Sequence, residues 1–312
     1  MFMKFFPKKT YSARMETEIE HYKEIFKDGL FQKVPPIWNE VEHLFSKQIK
    51  MATGVSGLPE YVARHTAKRK RVKLLSLGSG SCGVELDLIG PLLKKQGTEL
   101  NLVAVDINQQ ILDQAKLEAN KRNIKFSGLV QDINKLSLQP NSYDVIMAFA
   151  ALHHFDNLNL VTKEINRALK PNGIFVTVDI PTRNGYLLWP ETKAVVDQLW
   201  QILPPKFKFD HTAHAEITYM EKFPDVDYAK NSFECSNSEA ILPALKKNLL
   251  EEVFVPGMTL SRRFFDTKFG PNFDLSQSLD KAIFDFISEL DQYYLENNLL
   301  KPETFFGVYI KK

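Results

Sequence analysis

Three small groups of residues in this sequence have the types and spacing to do chemistry. In LLSLGSGSCGVELDL, residues 74–88, an apolar run turns abruptly on Gly78, Ser79, Gly80 and Gly83, then takes helical spacing with Glu85 in its first turn. Such a strand, glycine turn and helix start present bare backbone N–H groups to a ligand. Asp106 in VAVDIN and Asp132 in LVQDIN each follow an apolar run, and His153 and His154 close a third, NSYDVIMAFAALHHF. By letters alone, Gly78-x-Gly80-x-x-Gly83 followed by Asp106 matches the dinucleotide fingerprint, whose acid takes ribose hydroxyls. Glu85 shifts that balance. A carboxylate at the helix start repels a pyrophosphate and suits a cationic ligand, although it also complements the helix dipole. Asp106 and Asp132 at successive strand ends set two acceptors beside one crevice, one for ribose hydroxyls and one for the exocyclic amine of an adenine.

These residues need a scaffold, and the pattern around them supplies one. Short apolar runs at Val72–Leu77, Asn101–Val105, Lys125–Val130, Tyr143–Ala150 and Ile174–Val178 alternate with helical patterns. One helix starts near Val84, a second carries Ile111, Leu112, Ala115 and Ala119, and a third carries Leu160, Val161, Ile165, Ala168 and Leu169 up to Pro171-Asn172-Gly173. The alternation predicts an α/β fold, a doubly wound and mostly parallel sheet with ligands at its carboxyl edge. Residues 15–70 read as helices and connectors. After Asp179 the rhythm breaks: Val196, Leu199, Trp200 and Leu203 mark one helix among aromatic and proline-rich connectors. Ser236 and Glu239 have capping-box spacing before a helix through Ile241, Leu245 and Leu249, with Pro243 expected to bend it. Glu252–Val255 and Phe306–Ile310 read as sixth and seventh strands. Between them Leu279, Ile283, Phe286, Leu290 and Tyr294 predict a long amphipathic helix over 276–298.

Bulk properties narrow the class. Across 312 residues, 40 lysines and arginines face 38 acids, which gives no global pull toward nucleic acid or an anionic membrane. The longest apolar run, Val145–Leu152, is far short of the roughly 20 residues that a spanning helix needs. Two cysteines make neither a disulfide framework nor a metal cluster, so a cytoplasmic setting is the expectation.

Together these motifs resemble the class I S-adenosylmethionine-dependent methyltransferases. LLSLGSGSCG is similar to the family's first motif, VAVDIN to its second and LVQDI to its third; YDVIMAFAALHHF and LKPNGIFVTVD match the strands that follow. The likeness is close over about 70–182 and looser over 237–312. It implies a Rossmann-like, seven-stranded sheet whose last strand runs antiparallel, with a helical N-terminal extension and cap insertions. The implied boundaries are an extension at 1–70, the cofactor-binding core at 71–182, a cap at 183–236, core again at 237–256, a second insertion at 257–302 and the final strand at 303–312. The implied cofactor is S-adenosylmethionine, released as S-adenosylhomocysteine. Asp106 with Ile107 would hold the ribose, Asp132 with Ile133 the adenine, the glycine turn the methionine portion, and Ala148 and Phe149 would border the crevice. The sequence departs from the family where Ser76 replaces an acid; Glu85 is expected to stand in for it.

A sulfonium methyl is already activated, so the protein has to align an acceptor and exclude water. An oxygen or nitrogen acceptor also needs a base, and His154, then His153, are the candidates at the end of the fourth strand. Arg183, Tyr186 and Trp189 leave the fifth strand, and with His211 and His214 they are expected to contact a small-molecule acceptor. His211-x-x-His214 lacks partner cysteines or carboxylates, and no metal site is expected. The basic stretch RHTAKRKRVK, Arg64–Lys73, would serve an RNA or tRNA methyltransferase, but no aromatic residues are interleaved for base stacking. The missing acid at Ser76 leaves open a protein that binds S-adenosylmethionine without transferring its methyl. The expected assembly is a monomer or homodimer.

Overall fold

Strand β1 (Arg71–Leu77) lies inside a seven-stranded sheet and pairs in parallel with both β2 (Glu99–Asp106) and β4 (Tyr143–Phe149). The computed structural model describes residues 10–28, 34–212 and 217–312. With β3 (Lys125–Val130), β5 (Leu169–Asp179), β6 (Leu250–Gly257) and β7 (Thr304–Ile310), the sheet order is β3-β2-β1-β4-β5-β7-β6. Among the ladders described within this sheet, only that of β7 with β5 is antiparallel, running from Ile174 opposite Ile310 to Asp179 opposite Phe305. The doubly wound, mostly parallel sheet is therefore present. Strand β4 is buried from Tyr143 to Ala148, as a strand covered on both faces must be, whereas edge strand β3 is largely exposed.

Helix α1 (Tyr11–Asp28), α2 (Pro36–Thr53) and α3 (Leu58–Thr66) precede the sheet. After β1 the chain makes a π-helical turn, Val84–Ile89, before α4 (Gly90–Lys95). Helix α5 (Gln109–Lys121) is capped by Asn108, whose side chain accepts from the N–H groups of Gln110 and Ile111, and it buries Ile111, Leu112, Ala115 and Ala119 as the periodicity predicts. Helix α6 (Leu158–Ala168) stops three residues before Pro171, because Leu169 already pairs with Tyr143; the ladder then skips to Val145 opposite Ile174.

The chain forms two compact units. One comprises 49–181, 233–255 and 305–312 and holds most of the sheet; the other comprises 1–48, 182–232 and 256–304. In the sheet unit, Leu75, Leu77, Val103, Val105, Ile146, Val161, Ile165, Phe175, Phe305 and Tyr309 belong to one buried cluster with Leu245 of α8 (Ile241–Asn248). Ser236 does not cap that helix: its Oγ donates to Asp156 Oδ1 at 2.5 Å. Pro243 falls in the first turn, where its missing N–H has no helical partner to lose.

The second unit has an aromatic core. Trp200 of α7 (Pro190–Ile202) lies 5.1 Å from Phe223 and 4.8 Å from Phe269, and Phe264 of α9 (Leu260–Phe265) lies 5.8 Å from Phe223, ring centre to ring centre. Helix α10 (Ser278–Glu296) corrects the sequence expectation about its face. It buries Asp280, Phe284, Ile287, Asp291 and Leu295, while Leu279 and Phe286 are about half exposed. Two acids decide this. Asp291 accepts the N–H groups of Thr259, Leu260 and Ser261 at the start of α9, and Asp280 pairs with Lys206 and accepts from Asp274 N.

Candidate active site

The strand order reverses between β1 and β4, and the crevice beyond their carboxyl ends is where open α/β sheets bind ligands. The turn leaving β1 is left-handed at Gly78 (φ +61°) and Gly80 (φ +50°), and a Cβ at Gly78 would lie 2.9 Å from Ala151 Cβ. Beside Gly80 and Gly83 a Cβ would meet nothing within 4 Å. Glycine at these positions lets backbone close on the turn after β4 at one point and leaves open space at the others. Cys82 fills the tight bend, buried and at φ +58°, and burial pushes its thiol well above the ordinary range.

The aspartates hold the loops on either side. Ser79 N donates to Val105 O at 3.2 Å, Gly80 N to Asp106 Oδ2 at 2.9 Å and Asn108 N to Asp106 Oδ1 at 3.0 Å. Burial raises the Asp106 carboxyl pKa, and those N–H donors oppose the rise. Asp132 caps a short turn, Ile133–Lys135, accepting from Asn134 N at 2.9 Å, with Lys135 Nζ 3.5 Å away. Ile107 is half-buried, Phe149 is 43% exposed at the end of β4, and Ile133 and Ala148 point into the core cluster. Those two therefore shape the crevice by packing beneath it.

Glu85 has the environment that its charge raised as a question. Both Ser76 and Glu85 are buried, and Ser76 Oγ donates to Glu85 Oε1. The carboxylate beside Ser76 thus comes from the π-helical turn. Burial raises its pKa, and the Ser76 hydroxyl only partly offsets that. A buried carboxylate with this bias is stabilised by a cation.

The turn after β4 is organised by Asp179 at the end of β5. Its fully buried carboxylate accepts from Ala151 N (2.9 Å), Leu152 N (2.7 Å), Ile180 N (2.8 Å) and His153 Nδ1 (2.7 Å). Burial opposes ionisation, yet His153 and the N–H donors hold the Asp179 carboxyl below the usual range. His153 Nε2 faces Glu234 Oε1 at 4.0 Å and His154 Nε2 faces Glu234 Oε2 at 3.7 Å. Burial, reinforced by His153, lowers the His154 pKa to about 4, so its ring is neutral at pH 7.

Residues 75–177 match the methyltransferase domain family. That segment is a methyltransferase domain. A sterol 4-C-methyltransferase from Caenorhabditis elegans is 28% identical over 176 residues, 56% of this chain and 48% of that protein. A ubiquinone/menaquinone biosynthesis C-methyltransferase from Rickettsia prowazekii is 32% identical over 110 residues, 34% of this chain and 43% of that protein. The matched segments thus span less than half of either relative. Among solved structures, the PH0226 protein from Pyrococcus horikoshii OT3 is 17% identical with a TM-score of 0.46, covering 94% of this chain and 99% of that one.

The residues of the methyltransferase domain fit S-adenosylmethionine. Asp106 spends one backbone N–H on each oxygen and keeps lone pairs for hydroxyl donors. The open space beside Gly80 and Gly83 admits a ligand against bare backbone, and Glu85 offers a carboxylate to a cation.

The remaining candidates lie in the other compact unit. Arg183 donates to Leu188 O at 3.1 Å and closes its own loop. Tyr186, at φ +62°, lies under the Arg263 guanidinium, 4.0 Å from ring centre to Cζ, and burial pushes its hydroxyl up to about 12. Lys301 Nζ sits 3.6 Å from the Trp189 ring centre. His211 hydrogen-bonds Asn272 Oδ1 at 2.9 Å. His214 lies outside the described residues. Sequence reasoning missed Asp179 and Glu234. The first could have been found as an acid ending a buried strand; the second has no local signal, because its partners are far away in the chain.

Proposed function

We propose that this chain is an S-adenosylmethionine-dependent methyltransferase acting on a small-molecule acceptor. The observation that carries the reading is the glycine turn at the switch point, with Asp106 bonded to Gly80 N and with Glu85 buried beneath it against Ser76. Bound there, S-adenosylmethionine supplies a methyl group on a cationic sulfur. Asp106 takes the ribose hydroxyls, Asp132 the adenine amine, and Glu85 the ammonium of the methionine portion. The backbone of the turn fixes the donor's orientation, and alignment of this kind lowers a bimolecular barrier by several kcal/mol.

The matched relatives are named for carbon methylation of sterols and quinones. Carbon therefore joins oxygen and nitrogen as the acceptor atom in this reading. Arg183, Tyr186, Trp189 and His211 are proposed acceptor contacts because they follow β5 in the chain. His154 alone is a poor base: a group with a pKa near 4 accepts a proton weakly at neutral pH. His153 has its Nδ1 hydrogen committed to Asp179 and its other nitrogen turned to Glu234. The two imidazoles act as a set with Glu234.

The basic stretch before β1 is partly neutralised within the protein, which favours a metabolite over RNA. Arg69 bonds Asp144 at 2.6 Å and Arg71 bonds Glu99 at 3.0 Å. No helix of the described residues is long and apolar enough to cross a membrane. Calorimetry with S-adenosylmethionine, followed by a radiolabelled-methyl assay on cell extract split into small-molecule, RNA and protein fractions, tests the reading. Label in the small-molecule fraction is expected. Label confined to RNA or protein overturns the acceptor class, and binding without label leaves a donor-binding protein.

A further inference from the structure

We propose that His153, His154 and Glu234 form a binding site for one divalent transition-metal ion. Their ligand atoms, one from each side chain, lie within 4.8 Å of one another. The set is two imidazoles and one carboxylate, the combination that serves iron(II), cobalt(II), nickel(II) and zinc, and that suits magnesium or calcium poorly.

Three features of the surroundings favour a metal over a purely structural cluster. First, Asp179 accepts the Nδ1 hydrogen of His153 at 2.7 Å, so the lone pair sits on Nε2, the nitrogen facing Glu234. A buried carboxylate that fixes the tautomer of an imidazole and raises its basicity is the usual outer partner of a metal-bound histidine. Second, that lone pair and the Glu234 carboxylate are two acceptors turned toward each other across 4.0 Å, with His154 Nε2 3.7 Å from the second oxygen. A metal ion seated between them would take a lone pair from each. Third, the segment bearing Glu234 is held beside the histidines by protein bonds: Ser236 Oγ to Asp156 Oδ1 at 2.5 Å, and Asn237 Nδ2 to Asp156 O at 2.8 Å. The site is therefore assembled before any ion arrives.

Metal–nitrogen bonds of about 2.0–2.1 Å put neighbouring ligand atoms roughly 3.0–3.4 Å apart. The widest pair has to close by up to about 1.4–1.8 Å, and Glu234, the most exposed of the three with 35% of its side chain accessible, is the member able to swing inward. Among the described residues, Asp179 and Glu234 bring negative charge to the histidines, and Cys235 Sγ lies 3.4 Å from Glu234 Oε1. His211 is engaged elsewhere, with Asn272 Oδ1 at 2.9 Å.

The test uses the full chain stripped with a chelator and titrated with cobalt(II), following the visible d–d bands, then with zinc by calorimetry. One equivalent per chain at micromolar or tighter affinity is expected, with Glu234→Gln and His154→Ala each weakening binding about 10- to 100-fold and His65→Ala, a surface histidine, leaving it unchanged. Substoichiometric or millimolar binding overturns the proposal, as does undiminished binding in both site variants. Circular dichroism establishes that each variant is folded, and Glu234→Gln, at the most exposed ligand, keeps the test alive should a histidine variant unfold. S-adenosylhomocysteine affinity is measured on the same samples. A wild-type chain that takes one metal ion but no donor sinks the methyltransferase reading; one that takes the donor but no metal sinks the metal site.

Discussion

Glu85→Gln separates charge from shape beside Ser76, where this chain departs from the first motif of the family it resembles. Glutamine has the volume of glutamate and can still accept from Ser76 Oγ, so the turn should survive. What disappears is a buried carboxylate whose pKa burial has raised. A charge-assisted hydrogen bond of that kind contributes about 1.5–3 kcal/mol, which corresponds to S-adenosylhomocysteine binding about 10- to 150-fold more weakly. 5′-Methylthioadenosine, which lacks the amino-acid end, should bind both proteins alike. The pH dependence has a definite sign. With the folded pKa above the ordinary value, ionisation on donor binding releases a proton, so wild-type affinity climbs as pH rises through that raised pKa while the variant stays flat. Stability follows the same linkage: the wild type loses stability relative to the variant as pH rises through the same window, because the folded protein prefers the protonated acid. Calorimetry in two buffers of different ionisation heat counts the proton, and melting curves across pH read the stability. Wild-type affinity for S-adenosylhomocysteine in the variant, or an equal loss for 5′-methylthioadenosine, would refute the assignment of Glu85 to the ammonium.

Asp106→Asn should cost at least about tenfold in donor affinity by calorimetry, because an amide oxygen cannot serve two backbone N–H groups and a ribose together; an unchanged affinity removes Asp106 from the site. Gly78→Ala combines a left-handed backbone with a 2.9 Å approach to Ala151 Cβ, and should destabilise by about 2–4 kcal/mol in urea. Gly83→Ala, with ordinary φ and open space, should stay within about 0.5 kcal/mol of wild type and tell through weakened donor binding instead. Arg263→Ala strands the fully buried Glu303, bonded at 2.5 Å, and should cost about 3–5 kcal/mol; a change below 1 kcal/mol would show that the pair is not buried as described.

The sequence by itself determined the alternation of strands and helices, the glycine turn and the placing of Asp106 and Asp132 at strand ends. Each of those depends on neighbours a few residues away: period two or 3.6, a cap such as Asn108, a glycine where φ must be positive. It also determined that α10 would be amphipathic, but not which stripe turns inward. Leu279, Ile283 and Phe286 made the more apolar line, and the tertiary structure buried Asp280 and Asp291 because Lys206 and the N–H groups of α9 satisfy them. Ser76 meeting Glu85, Asp179 gripping the turn after β4, and Glu234 arriving beside His153 and His154 were likewise settled only by the fold. A buried charge is tolerable only opposite its partner, and a partner remote in the chain leaves no trace in local spacing.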